Sequence, residues 1–590
     1  MAAAEQRARA IGLGADRVLI CADAMTEEAY LRALAASLDT TFEPLSSVAR
    51  GDCPLDDDQL LQAAAAGLLP LVRDGVLTWV IAPRCLTARR LANAQPLPPP
   101  VRSFRLTSSE HLWRFVATHA QEALGARASE ELRRSQPDFS NAPRPRSPDR
   151  FLLIAALTLL IVGVAALAPA AAIDALATAL CVVFLGAAAL RLVSVAVARA
   201  PASAPPVRLR DDALPVYTVI CPLYREASVV GSLVAAIRAL DYPREKLDVK
   251  LVVEADDDDT RRALDALSLG PPFTVITAPP RGPRTKPKAL NVALPLAQGS
   301  FTVIYDAEDV PEPDQLRRVL AAFMAADDSL ACVQASLTID NATDSWLTRM
   351  FTAGYAGQFD AFLPALAALR LPFPLGGSSN HFRTAALRHV GGWDPYNVTE
   401  DADLGIRLWR RGYRATAVAS ATYEEAPARF GPWLRQRTRW YKGWMQTWLV
   451  HMRQPIRLMR ELRPLGAIAF QLFLACNVLA ALVHPVFMAG LAYAWLAAPS
   501  WQAGAILEAA PFFAATLLCG YLSTIVLDVI GLQRRGLLAQ AWVLVLTPLY
   551  WFLLSLAAWR AVFQLIYDPQ RWEKTEHGLA RTSRLATLEG

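Results

Sequence analysis

Hydrophobic and polar positions follow two different rhythms along this chain. In the first rhythm the apolar residues run unbroken. "FLLIAALTLLIVGVAALAPAAA" (151–172) and "LATALCVVFLGAAALRLVSVAVA" (176–198) each exceed the about 20 residues that a helix needs to cross a bilayer. Further apolar runs lie at 467–498, 510–530 and 537–567. In the second rhythm, between 216 and 430, short β-branched stretches alternate with stretches of helical period. "VYTVICPLY", "DVKLVVEADD", "FTVITAPP" and "FTVIYDAED" read as strands, and "VVGSLVAAIRAL" and "KALNVALPLA" as helices. That alternation predicts a doubly wound, mostly parallel sheet, with ligands expected at the carboxyl ends of its strands. A smaller α/β region is predicted over 1–134. "ADRVLICAD" reads as a strand, "TEEAYLRALAASLD" as a helix capped by Thr26, and "DDDQLLQAAAAGLLPLVRDGVLTWVIAP" as helix, turn and strand. A Pro-rich linker is expected over 135–150.

The placement of Lys and Arg refines this into a topology. Arg133, Arg134, Arg144, Arg146 and Arg150 precede the first span, and Arg199, Arg208 and Arg210 follow the second. The N-terminal region and the central region therefore fall on one side, read as cytosolic. Arg534 and Arg535 return there, as does the tail with Arg571, Lys574, Arg581 and Arg584. Six crossings satisfy the pattern; four plus a re-entrant hairpin broken near Pro548 satisfy it as well. The expected layout is a cytosolic unit (1–134), linker (135–150), two spans (151–198) and a central domain (216–430). An interfacial helix (431–455), a C-terminal membrane region (466–567) and a tail (568–590) follow. Hydrophobic residues make up 54% and charged residues 19%, more apolar than an ordinary soluble protein. The net charge of +5 is explained by these flanking residues and gives no case for nucleic-acid binding. Eight scattered cysteines suggest neither a zinc site nor a disulfide framework, and "MAAAEQRARAIGLGADR" lacks the apolar core of a signal peptide.

Candidate chemistry gathers at the predicted strand ends. "EADDDDT" carries Asp256 and Asp257, and "DAED" carries Asp306, Glu308 and Asp309. Either cluster alone is also what a solvated strand end looks like. Two on neighbouring strands repel unless a cation sits among them, and Mg²⁺ or Mn²⁺ prefers oxygen ligands plus substrate phosphates. Between them Lys286 and Lys288 precede a helix expected to start at Ala289, and cations beside a helix N-terminus make a good seat for a diphosphate. In "PLGGSSNHF", Gly377, Ser378 and Ser379 form a turn able to approach a ligand. Thr399 is placed to cap a helix that Gly412 ends, with Glu400 and Asp401 in its first turn, where the dipole favours ionised carboxylates. An ionised Asp at a pocket edge is able to take a proton from an acceptor hydroxyl. If 432–450 is helical, Gln436, Trp440, Trp444 and Trp448 share a stripe, suited both to a bilayer interface and to stacking a sugar.

In this order, between membrane spans, the acids after a strand, "KPKALN", "DAED", "TED" and "QRTRW" resemble the membrane-integrated family 2 glycosyltransferases: cellulose, chitin and hyaluronan synthases and bacterial β-glucan synthases. The resemblance covers about 150–578. It implies a GT-A-type sheet and a processive, inverting transferase. Such an enzyme polymerises a β-linked glycan from a UDP-sugar, UDP-glucose first, with Mg²⁺ or Mn²⁺, and passes the product outward through a bacterial inner membrane. Residue by residue it implies that Asp256 and Asp257 contact the uridine and that Lys288, with Lys286, meets the diphosphate. Asp306 and Glu308 or Asp309 would hold the metal, and Asp401, beside Glu400 and Thr399, would be the base. Gln436, Arg437, Arg439 and Trp440 would close over donor and acceptor, with Gly377, Ser378 and Ser379 at the acceptor. Many members carry Asp where this chain has Glu308. Asn477, His484 and Asp528 are candidates to line the passage. The alternatives are single-step transfer to a polyprenyl-phosphate carrier, whose enzymes usually lack the QxxRW-type motif, and a partner-recruiting assembly subunit with weak catalysis. Residues 1–134 look similar to the N-terminal domain of type II secretion and pilus ATPases, which implies cyclic di-GMP as a regulator or a docking role for envelope export or regulatory proteins. "GADR" stands where the nucleotide-binding repeat of that domain has "RLG".

Overall fold

The computed structural model describes residues 2–73, 75–83, 104–144, 166–198, 209–497 and 504–569, with Ala88, Leu91, Leu159, Val162, Gly163, Arg571 and Glu573. The apolar run 151–172 therefore lies mostly outside the described residues, as does the tail beyond Glu573. In the N-terminal unit, helices α1 (Ala2–Ile11), α2 (Ala15–Cys21), α3 (Glu27–Ser37) and α4 (Asp57–Ala65) lead into a three-stranded sheet. Its strands are β1 (Leu68–Arg73), β2 (Val76–Ile81) and β3 (Phe104–Leu106), and α5 (Ser109–His119) and α6 (Gln121–Ser135) follow. Thr26 accepts the Ala29 N–H at the start of α3, as its position predicts. The expected strand over 15–23 is the helix α2 instead, because a short apolar run has no periodicity that separates the two. The expected single strand after α4 is a hairpin turning at Gly75, whose φ of +76° suits glycine.

The large sheet carries the site. Its strands are β4 (Tyr217–Leu223), β5 (Leu247–Glu254), β6 (Phe273–Ala278), β7 (Phe301–Ile304), β8 (Val310–Pro311), β9 (Leu330–Ile339), β10 (Asn380–Arg383) and β11 (Arg414–Glu424). They lie in the order β6-β5-β4-β7-β10-β9-β11-β8. Pairs β4/β5, β5/β6, β4/β7 and β9/β11 are parallel; β10 runs antiparallel to β7 and β9, and β8 to β11. Every residue of β5 is buried, its charged ones in ion pairs: Asp248 with Lys250 and Glu254 with Lys288. The apolar helix α7 (Pro169–Val197) precedes the sheet, and α8 (Val230–Arg238), α9 (Asp258–Ala266), α10 (Lys286–Ala293), α11 (Gln315–Met324), α12 (Trp346–Gly357), α13 (Leu363–Ala368), α14 (Thr384–His389) and α15 (Glu400–Arg410) complete this half. One hydrophobic core runs without a break from Leu60, Phe115 and Leu124 of the N-terminal unit to Ala289 and Leu290 of α10, and on to Trp433.

Beyond β11, α16 (Phe430–His451) leads to α17 (Pro455–Phe470), α18 (Cys476–Ala497), α19 (Gly504–Arg534) and α20 (Thr547–Tyr567). Among the described residues, four stretches are long and apolar enough to cross a membrane: Asp174–Val197, Pro455–Tyr493, Pro511–Arg534 and Leu538–Tyr567. The run over 537–567 contains one long helix, α20, entered through a 3₁₀ segment (Leu538–Leu546), with Pro548 in the first turn of α20. α17 breaks at Arg463 (φ +60°) before Pro464, which separates a half packed through Leu458 and Leu462 from the apolar half beyond. The stretch expected as a linker is packed where it is described: Phe139 is buried, and residues 140–141 hydrogen-bond to Asp394 and Tyr396.

Candidate active site

A cavity of about 200 Å³ opens at the carboxyl ends of β4, β5 and β7. The strand ends bring Leu223, Glu254 and Asp306 to its wall; the first turn of α15 brings Glu400 and Asp401, and α16 brings Gln436, Arg439 and Trp440. Carboxylates dominate the lining. Glu226, Glu254, Asp306, Glu308, Glu400, Asp401, Glu424 and Glu425 face only Arg284, Lys286 and Arg439 among cations. Such a wall repels a diphosphate unless a cation enters with it, and an all-oxygen donor set suits a hard divalent ion. Asp306 and Glu308 fit that role. Among the described residues no three His, Cys, Asp or Glu side chains are grouped to hold a metal unaided, so phosphate oxygens would complete the shell.

Lys286 reaches Asp306 at 2.5 Å and the Gly377 carbonyl at 2.5 Å. Burial works against its charge, but Asp306 and Glu400 outweigh burial and hold the ammonium above its ordinary value. Glu400 is pushed up to about 8, first by burial and then by Asp401 beside it. Burial also raises Asp401, against the pull of the Ala402 N–H and of Lys286. The pair therefore holds a proton more tightly than free carboxylates, which suits a proton acceptor working near neutrality. Thr399 stands at the N-cap of α15 without capping it; its hydroxyl turns to Asn397 instead.

Not every residue singled out in the sequence reaches the cavity. Lys288 is fully buried, with its ammonium 2.7 Å from Glu254 and 2.9 Å from the Pro279 carbonyl. Asp257 caps α9 by accepting the Thr260 N–H and also takes the Arg225 N–H, while Asp256 pairs with Arg284 at 2.7 Å. Asp309 is buried and accepts the Asp306 N–H and the Ser378 hydroxyl, which leaves Glu308 on the wall. Ser379 turns to Thr422, so that only Gly377 of the turn lines the cavity. Tyr355, Glu226, Glu424 and Glu425 line it with no motif to announce them.

A second cavity, about 340 Å³, lies between α12, α16 and the apolar helices. Arg191, Asn477, Asp528, Tyr550 and Trp551 line it, and Tyr355, Gly377, Thr399, Asp401 and Trp440 belong to both cavities. His484 lies on a third, smaller cavity with Arg191. Along α16, Gln436 and Arg439 face the first cavity and Arg437, Tyr441 and Trp444 the second. The Arg437 guanidinium sits 4.3 Å from the Trp440 ring and 4.2 Å from that of Phe351, and Tyr355 lies parallel to Trp440 with ring centres 6.2 Å apart. The buried carbonyl oxygen of the Gln436 side chain meets no partner among the described residues.

An α/β domain with its site at the strand ends, joined to helices able to cross a membrane, is the class that fold and site define. Residues 215–443 match the family model described as "Glycosyltransferase like family 2", and the α/β domain is of the GT-A type. The chain is 28% identical over 259 residues to a Bacillus subtilis protein named "probable glycosyltransferase YdaM", over 42% of this chain and 60% of that one. It is also 28% identical to a beta-monoglucosyldiacylglycerol synthase of Synechocystis (43% and 53% covered) and 26% identical to a glucomannan 4-beta-mannosyltransferase of Arabidopsis thaliana (40% and 45% covered). It thus spans about half the length of these relatives. Among solved structures, a mannosyltransferase from Pyrobaculum calidifontis in complex with GDP-Man and Mn²⁺ aligns with TM-score 0.42 and 22% identity, over 67% of this chain and 99% of that one.

Proposed function

We propose that this chain is a membrane-embedded, inverting glycosyltransferase that builds a β-linked glycan from a nucleotide-diphosphate sugar, UDP-glucose first, and feeds the product into the membrane cavity. The observation that carries this reading is the junction: Asp401 and Trp440 belong both to the acidic cavity and to the cavity between apolar helices. The donor would lie in the first cavity with its diphosphate towards Lys286, Arg284 and Arg439. A divalent cation held by Asp306 and Glu308 would supply the remaining positive charge for the departing nucleotide. Asp401 would accept the proton of the acceptor hydroxyl as its oxygen attacks the anomeric carbon from the side opposite the nucleotide. The growing chain would then rest on Trp440 and move past Arg191, Asn477 and Asp528, polar groups of the kind that mark a pathway within a membrane. Both soluble units would face the cytosol of a bacterial inner membrane.

A second reading is transfer of one sugar to a lipid acceptor. The lining of the second cavity by Leu190, Leu472 and Leu554 favours it, since an acyl or prenyl chain would be solvated there. Nucleotide release by the purified protein, supplied with UDP-glucose, UDP-N-acetylglucosamine or GDP-mannose and Mg²⁺ or Mn²⁺, separates the readings. A product digested by a linkage-specific glucanase supports the first, and a single-sugar glycolipid replaces it with the second. No release from any donor, together with no nucleotide binding, would overturn both.

A further inference from the structure

Helix α6 and the strap that follows it hold both halves of the transfer site. α6 lies against the turn Pro279–Thr285, which delivers Arg284 and Lys286 to the donor cavity. Glu122 pairs with Arg281, and the Ser129 hydroxyl donates to the Arg281 carbonyl at 3.5 Å. The Asn291 amide of α10 donates to the Ala128 carbonyl at 3.0 Å and to the Trp393 carbonyl at 2.8 Å, and so ties α6 to the approach to α15. There is no slack in this contact. A Cβ on Gly125 would lie 2.8 Å from the Arg281 Cβ, and one on Gly282 would overlap Ser129.

The strap Pro137–Ala142 grips α15 at both ends. Before its first turn, Asp394 accepts the Asn141 N–H at 2.5 Å and the Ser140 hydroxyl at 3.2 Å. At its C-terminal end, the buried Phe139 ring lies under the guanidinium groups of Arg410 and Arg411, at 4.6 and 5.2 Å. Arg453, just beyond α16, donates to the Ser140 carbonyl at 2.7 Å. Beneath Phe139 a chain of hydrogen bonds through Arg407, Asp403, His451, Arg410 and Glu461 joins α15 to α16 and α17. Asp401 sits in the first turn of the helix held this way.

We infer that Gln121–Ala142 is a positioning element of the transfer site, setting the donor turn and the base-bearing helix in fixed relation. The inference rests on the functional reading above. α6 then governs donor affinity and the strap governs placement of Asp401, so the two effects divide between different kinetic constants.

The test uses full-length protein in detergent, with calorimetric binding of UDP plus Mn²⁺ beside kcat and KM for the active donor. Gly125→Val, which wedges α6 off Arg281, and Glu122→Ala with Glu130→Ala, which removes the two carboxylates that pair with Arg281, are expected to weaken nucleotide binding about fivefold or more while kcat stays within about twofold. Phe139→Ala is expected to lower kcat about tenfold with nucleotide affinity kept, since a shift of ~1 Å costs up to about 100-fold, and Phe139→Tyr is expected to restore it. If kcat and affinity fall together in step with the loss of folded protein, or neither moves in any variant, the inference is overturned while the functional reading stands. A wild-type protein that neither binds nucleotide nor releases it would remove the functional reading, and the inference with it.

Discussion

Lys286 and Lys288 show how far single residues can be read. Two residues apart on a helix they point to nearly opposite sides, so only one can face the donor cavity. Which one depends on Glu254 and Pro279, distant partners that local sequence does not announce. The structure gives Lys288 a structural place. Replacing it with Met leaves Glu254 buried without its cation, so Lys288→Met is expected to cost about 3–5 kcal/mol, read as a lowered unfolding midpoint. An unfolding curve identical to wild type would contradict this place for Lys288. Asp257 and Asp309 were legible as acids at strand ends, but not as acids that turn inward to satisfy N–H groups. Asp401→Asn keeps the shape and removes the proposed proton acceptor; nucleotide release should fall about 100- to 10,000-fold with donor binding retained. If Asp401 is the base, its working form is ionised, and burial holds the Glu400–Asp401 pair above the ordinary carboxylate range. The rate should therefore rise with pH through neutrality, and Lys286→Met should move that rise to higher pH by removing a cation that favours ionisation. A rate flat between about pH 6 and 9 would count against Asp401 as the base.

At the scale of elements, alternation of strand and helix over 216–430 was visible because each element carries its own period. The antiparallel placing of β10 on β7 and the pairing of β11 with β8 were not, because they join residues 76 to 113 positions apart. Those pairings bring Glu424 and Glu425 to the cavity. Contacts between helices were equally invisible. α12 meets α19 at two glycines: a Cβ on Gly531 would lie 2.2 Å from the Ala356 carbonyl carbon, and one on Gly357 2.4 Å from the Asp528 carboxylate. The close approach fixes the soluble domain on an apolar helix. Gly531→Leu is expected to cost about 1–3 kcal/mol, seen as a lower melting temperature and less monodisperse protein, with nucleotide binding weakened only as far as folded protein is lost.

At the scale of the molecule, the sequence announced apolar helices around an α/β domain, but not that one core would join the N-terminal unit to that domain. If the N-terminal unit and the tail both face the cytosol, as proposed, single cysteines placed at Asp58 and Arg581 should react with an impermeant thiol reagent in inside-out vesicles and resist it in right-side-out ones. Labelling of the two sites from opposite faces would break the proposed topology.

The α16 helix is pinned from behind by chain that follows α20. Gln446 donates to the Pro569 carbonyl at 2.7 Å, Lys442 to that of Arg571, and Arg439 to that of Glu573 at 3.4 Å, while Glu573 pairs with Arg560 at 2.7 Å. Arg439 is also a wall of the donor cavity. During translation, then, the α/β domain emerges well before the residues that clamp α16. Until residue 573 has left the ribosome the pocket lacks part of its frame, so the proposed sugar transfer would begin only once the candidate membrane helices have been made.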